Sequence, residues 1–142
     1  MAVQTNYSEM QDALRAGFIY DMAPNELLSR TVEDAALAFG KPVTQGTADS
    51  AVHPTTTGDT TILGISALDQ STLDDEFAIG SSARIITSGP VAVEAAATVA
   101  AGDPVHVVVA TGTFTNAGGV QIVGATYESS GDSGDLVKVR LA

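Results

Sequence analysis

Two stretches of this chain echo one another, and the echo limits the fold more than any other feature of the sequence. Val32-Glu33, Ala35-Ala36 and Gly40-Lys41-Pro42-Val43 match Val93-Glu94, Ala95 to Ala97 and Gly102-Asp103-Pro104-Val105. The match continues downstream. Ile62-Leu63-Gly64-Ile65 places its glycine 24 residues past Gly40, and Ile122-Val123-Gly124-Ala125 places its glycine 22 past Gly102. A two-fold internal repeat of about 60 residues follows. Two copies are too few for a solenoid, which needs at least three. They suit one compact barrel or sandwich built of two similar halves around a shared core.

The second copy shows what each half contains. Proline has no N–H to give a ladder, so Pro104 belongs at the start of a strand. The residue before it, Asp103, is pushed towards extended geometry. Val105 to Val109 is β-branched apart from His106, as a buried strand should be. Val93 to Val109 therefore reads as strand, tight turn, strand.

The rest of the chain agrees with an all-β class. Strands are expected at Phe18–Met22, Glu26–Glu33, Thr60–Leu68, Ala83–Thr87, Val91–Ala95, Val120–Glu128 and Leu136–Leu141, and Leu37–Gln45 crosses the first Gly-x-Pro-Val element. A short strand is expected near Val52 within the Gly46–Asp59 loop, and Glu76–Gly80 reads as a short strand or turn. Ser88-Gly89-Pro90 reads as the turn of a hairpin-like unit. Leu136–Leu141 alternates cleanly, with Val137, Val139 and Leu141 on one face and Lys138 and Arg140 on the other. Such regular strands with turn signals between them indicate a barrel or sandwich. Aromatic residues are only 5% of the chain, so the core must come from Val, Ile, Leu and Ala. A single domain of 142 residues can bury such a core.

The N-terminal 16 residues read as a polar arm. Ser8 and Gln11 resemble a capping box, so Glu9 to Arg15 is a candidate short helix. Met10, Ala13 and Leu14 would form one narrow apolar stripe on it. Gly17 would end it. The division expected is an arm over 1–16 and a β domain over 17–142.

Charge and motifs exclude several functions. Seventeen acids against six Lys and Arg give a net charge of −11, which repels nucleic-acid phosphates. No apolar run approaches the roughly 18 residues of a membrane helix. The opening MAVQTNYSEM has neither the basic nor the apolar region of a signal peptide. With no cysteine, there is neither a disulfide frame nor thiolate chemistry. No Gly-x-Ser-x-Gly elbow, Walker loop or dinucleotide fingerprint is present. His106 and Asp103 fall on opposite faces of a strand and do not make a metal pair. Asp74-Asp75-Glu76 and Asp132 to Asp135 read as solvated acidic turns rather than Ca²⁺ sites. No catalytic residue, cofactor or metal site is expected, and neither is an enzymatic activity.

The opening MAVQTNYSE, Ser29 to Asp49 (SRTVEDAALAFGKPVTQGTAD), Ile62 to Ser66 (ILGIS), Val99 to Val107 (VAAGDPVHV) and Asp135 to Leu141 (DLVKVRL) together resemble the structural cement, or decoration, proteins of tailed-bacteriophage heads. The ordered set, over nearly the whole chain, carries the resemblance; no one motif is specific. It implies a small β-rich protein on the outer surface of the capsid in the virion, made in the host cytoplasm. The implied partners are the major capsid protein and further copies of the chain, as a homotrimer or alternatively a dimer. It implies no nucleic-acid or membrane partner and no catalytic residues. An arm that orders on a neighbour suits this role, and its Val3, Tyr7, Met10 and Leu14 are the candidate capsid or subunit contacts. A carbohydrate- or host-surface-binding β module is the alternative. It would need an exposed aromatic platform, for which Tyr7, Tyr20, Tyr127 and Phe114 are the scattered candidates. A β-barrel hydrolase would need two close carboxylates in a cleft.

Overall fold

In a computed structural model of the protein, residues 15–69 and 76–142 are described. They form eleven strands, and no helix occurs among them. The strands are β1 (Glu26–Val32), β2 (Leu37–Ala38), β3 (Pro42–Gln45), β4 (Ala51–Pro54), β5 (Gly64–Ser66), β6 (Glu76–Phe77), β7 (Ser82–Glu94), β8 (Pro104–Val108), β9 (Thr113–Thr115), β10 (Val120–Tyr127) and β11 (Leu136–Leu141). Both repeat prolines, Pro42 and Pro104, open their strands, where a missing N–H costs least.

The architecture is two rings of strands that share β7. In the first ring β1 pairs in parallel with β4, and β3 and β5 follow. The first half of β7 pairs with β5 on one edge and with β1 on the other, which closes the ring. In the second ring the last half of β7 pairs with β11, and β10, β8 and β9 follow. A parallel bridge from Ala95 to Phe114 closes it. Strand for strand, β1, β3, β4, β5 and the first half of β7 correspond to the second half of β7, β8, β9, β10 and β11.

Hydrogen bonds repeat with the topology. Gly40 N–H donates to Ser66 O at 2.8 Å, and Gly102 N–H donates to Tyr127 O at 2.7 Å. Glu33 N–H reaches Val52 O at 2.9 Å, and Ala96 N–H reaches Phe114 O at 2.8 Å. Gly80 N–H reaches Val32 O, as Gly134 N–H reaches Ala95 O. The internal repeat read from the sequence is therefore a duplication of fold, although these bonds align Val32-Glu33 with Ala95-Ala96, two residues beyond the Val93-Glu94 that the sequence echo pairs with them.

Each ring holds a core. Val32, Leu37, Phe39, Val43, Val52, Leu68, Phe77, Ala83 and Ile85 fill the first. The β2–β6 pair lies over it, and Phe39 meets Phe77 edge-to-face at 5.0 Å between centroids. Val91, Val93, Val105, Val107, Phe114, Tyr127, Val137 and Val139 fill the second. Ile65 and Ile86 pack with this second cluster although they belong to strands of the first ring. Burying each such side chain contributes about 1.5–3 kcal/mol. Neighbouring Ile85 and Ile86 thus point into different cores, and both are fully buried.

Three sequence expectations need correction. Ser88-Gly89-Pro90 is not a hairpin turn: β7 runs unbroken from Ser82 to Glu94 and changes partners there. At Gly89, φ is +113° and an added Cβ would sit 2.5 Å from Asn25 Cβ, so glycine allows the strand to bend against Pro24 and Asn25. Phe18–Met22 is not a strand; after Phe18 the segment leaves the sheet. Thr60–Leu68 is strand only over Gly64–Ser66. Leu136–Leu141 has the expected bounds and alternation, with Val137, Val139 and Leu141 buried.

Candidate interaction surface

The segment entering the fold is anchored at one glycine. Phe18 N–H donates to Arg15 O at 3.0 Å, closing a turn with Gly17 at its third position and φ +84°. Gly17 N–H then donates to Ala92 O at 2.7 Å, and Ala92 N–H donates to Phe18 O at 2.9 Å. Two residues facing one, with a left-handed glycine first, is a G1 bulge. Gly17 O also accepts Leu68 N–H at 2.9 Å. An added Cβ would lie 2.9 Å from Gly40 N, Leu68 N and Ser66 O. Gly17 therefore pins the entering chain between the two rings.

Beyond this bulge the segment lies across the outer face of the second ring. Tyr20 OH donates to Glu128 Oε2, and Arg140 Nε donates to Glu128 Oε1. Arg140 also approaches Asp21 Oδ2 at 3.7 Å, and Lys138 Nζ stands 5.2 Å from the Tyr20 ring centroid. The arginine hydrogen bond, with that from Tyr20, holds the Glu128 carboxyl below its ordinary range. Burial, reinforced by Glu128, pushes the Tyr20 phenol up, and the Glu128 hydrogen bond pushes Arg140 up. This cluster was not anticipated from the sequence. The signal available was the basic face of the last strand, which needs acids opposite it.

Two recesses flank the pinned segment and the junction of the rings. Arg15, Ala16, Phe39, Gly40, Lys41 and Leu136, with Ala38 and Glu94, line one of about 460 Å³. The other, about 400 Å³, runs between Thr60–Gly64 and Gln121–Val123, equivalent positions of the two repeats. Neither contains a pair of hydrogen-bonded carboxylates or a His–Ser couple. Among the described residues, no group of three His, Asp or Glu could hold a metal ion. His106 Nδ1 is hydrogen-bonded to Gly118 O at 2.8 Å, and Asp103 accepts from Asn116 and from Ala100 N–H. Those two bonds hold Asp103 below its ordinary range.

The anticipated contact residues Val3, Tyr7, Met10 and Leu14 lie outside the described residues, as does the candidate helix apart from Arg15, which is not helical. Of the scattered aromatics, Tyr127 and Phe114 are core residues at 1% exposure. The Tyr127 hydroxyl donates to Thr115 O at 2.7 Å, and burial pushes its pKa up to about 12. These two are not available to an aromatic platform. Among the described residues, the large apolar side chains left exposed are Met22, Val123, Ile79, Leu27, Phe18 and Leu136, with Met22 at 99% and Val123 at 85%.

A surface of contacts without a reactive constellation fits what comparison with known proteins finds. Residues 3–142 match the model of the phage family described as structural cement protein (E217 gp24/Pam3 gp6). The chain belongs to this structural cement family. No curated protein matches it in sequence. A chain in the solved capsid of Myoviridae phage XM1 is similar at 18% identity and TM-score 0.78, covering 99% of this chain and 98% of that one. The N base of head fibre gp8.5 of bacteriophage phi29 is similar at 10% identity and TM-score 0.52, covering 84% and 95%. At these identities the two structures establish a shared fold. The cement family is a structural one, so this chain is a structural protein of a phage particle.

Proposed function

We propose that this cement protein binds the outer surface of the assembled head and stabilises contacts between neighbouring capsomers of the major capsid protein, with no catalytic activity. The observation that carries this reading is the family match over residues 3–142. The net charge of −11 keeps the free protein soluble and apart from nucleic acid. Weak contacts repeated over a lattice add through effective concentration. Residues 1–16 are the arm, with Val3, Tyr7, Met10 and Leu14 as its contacts on the shell or on a neighbouring copy, and residues 17–142 are the body it serves. The copies act as an oligomer, with a homotrimer favoured by the family resemblance and a dimer as the alternative.

Expanded heads lacking the protein provide the test. Adding it back and imaging by cryo-electron microscopy should give extra density at symmetry-related sites between capsomers, and heads that survive heating better. Bare heads at saturating protein would overturn the proposal.

A further inference from the structure

The duplication exposes a seat that a second segment fills in one ring and that, among the described residues, no strand fills in the other. Matching hydrogen bonds align Val32 with Ala95 and Glu33 with Ala96, so Ser29 corresponds to Ala92. The N–H and C=O of Ala92, on the edge away from β11, are taken by Phe18 and Gly17. Ser29 lies opposite Arg84, whose C=O accepts Ala67 N–H from the β5 side. By the alternation of an antiparallel ladder, the backbone groups of Ser29 and Leu27 point away from β7. The strand on that edge, β4, pairs with β1 only at Thr31 and Val32. Among the described residues, no strand follows it past Leu27–Ser29.

The charge on this edge selects an occupant. Glu26 and Arg30 flank Leu28 at equal distance and carry opposite charge. Arg30 Nη1 donates to Ser29 O at 3.0 Å on this edge, while its Nε is shut off from solvent with no hydrogen-bond partner among the described residues. Leu27 is 39% exposed.

We propose that β1 pairs antiparallel with β1 of a second copy about a two-fold axis through Leu28, so that of the two oligomers named above this edge builds the dimer. Leu27 then faces Ser29 of the second copy, and the two exchange N–H···O bonds once Arg30 Nη1, which donates to Ser29 O at 3.0 Å within the chain, turns from that carbonyl. Glu26 faces Arg30 of the second copy, which brings a carboxylate towards the guanidinium, and the pairing covers Leu27. An isologous contact requires such self-complementarity, and strand addition to an open edge is an established mode of association. The bulge in this region lies on β7 at Thr87, between the Glu26–Ser88 and Leu27–Ile86 pairs, so β1 itself is regular.

The test uses the full-length chain in solution, without heads, so its outcome is separate from that of the capsid reading. The protein has no cysteine, so a single introduced one reports cleanly. Leu28 meets Leu28 of the second copy as a non-hydrogen-bonded pair, with Cα atoms about 4.5 Å apart, within reach of a disulfide. Mild oxidation of Leu28→Cys should give a covalent dimer, while a Ser133→Cys control stays monomeric. A folded Leu28→Cys protein that cross-links no more than the control overturns the proposal. Leu28 packs on the first core, so a charge exchange gives a second reading should this variant not fold. In sedimentation velocity, Glu26→Arg and Arg30→Glu should each weaken self-association roughly tenfold. The double exchange should restore it, and failure of that restoration would overturn the pairing. Association lost on removing residues 1–14 but indifferent to both charge changes would assign the edge to the N-terminal arm instead, and also overturns it.

Discussion

Gly17 and Ser66 each hold a place that a larger or a less polar side chain could not fill. At Gly17 the positive φ and three backbone atoms 2.9 Å from a Cβ act together. Gly17→Ala should destabilise the protein by about 2–4 kcal/mol, read as a lower urea midpoint. Gly58, also at positive φ but with nothing within 4 Å of an added Cβ, should cost only about 1 kcal/mol as alanine. Equal losses at both sites would mean that crowding at the seam contributes nothing. Ser66 is fully buried; its hydroxyl donates to Ala38 O at 2.6 Å and accepts from Lys41 N–H at 3.0 Å. Ser66→Ala would remove both of these bonds and should cost about 1–3 kcal/mol by the same denaturation measurement. Glu128 gives a pH dependence. Its folded pKa is lowered below 4.5 by Arg140 and Tyr20. The stabilisation is therefore fully present above the unfolded value and is lost as pH falls through the lower folded one. Glu128→Gln should lower Tm at neutral pH, and the gap to the native protein should close below about pH 4.5. A gap that stays constant into acid would show that the carboxylate charge is irrelevant there.

Elements were legible where one face is solvent and illegible where both are buried. Leu136–Leu141 alternates because Lys138 and Arg140 face outward over Val137 and Val139, and its bounds follow directly from its residues. The first half of β7 carries Ile85 and Ile86 side by side because each meets a different core. Strands buried on both faces lose the period of two. Ser88-Gly89-Pro90 carries the composition of a turn, and the physical role of those residues is a bend. Gly89 admits the bend, and Pro90 follows it inside the continuing strand, where the chain passes from one ring to the other. Phe18–Met22 looks like a strand by composition. Among the described residues its backbone is held at Phe18, while Tyr20 turns out to Glu128. The repeat was visible because Pro42 and Pro104 must open strands, whereas the Tyr20–Glu128–Arg140 cluster joins residues more than 100 positions apart and leaves no local pattern. Gly89→Val at the bend should disturb both rings at once. The side chain would meet Asn25 and Pro24 O, so amide exchange should rise in β1 and in β11 together. A rise confined to one ring would mean that the bend is not the hinge between them.

At the scale of the molecule, two rings that share a strand could unfold separately or as one. The shared strand alone would not couple them, since β7 could keep either set of partners. The coupling resides in Ile65 and Ile86, which sit on first-ring strands and pack in the second core with Val91, Val139 and Leu141. Losing the first ring exposes those two side chains and opens the second core. Unfolding should therefore be a single transition, with slow amides at Ala67 in the first ring and Glu128 in the second exchanging with the same free energy. Ile86→Ala removes buried atoms at the junction and should cost about 2–5 kcal/mol. Unlike Ile85→Ala, whose cavity lies inside the first ring, it should also split the transition, so that the two amides report different free energies. Native-state hydrogen exchange on both variants decides this. A split with Ile85→Ala and none with Ile86→Ala would place the coupling in the shared backbone of β7 rather than in the side chains that bridge the cores. Single unfolding has a consequence for a cement protein. A contact made by either ring would then stabilise the whole body, and a lattice neighbour holding β1 would also hold β11.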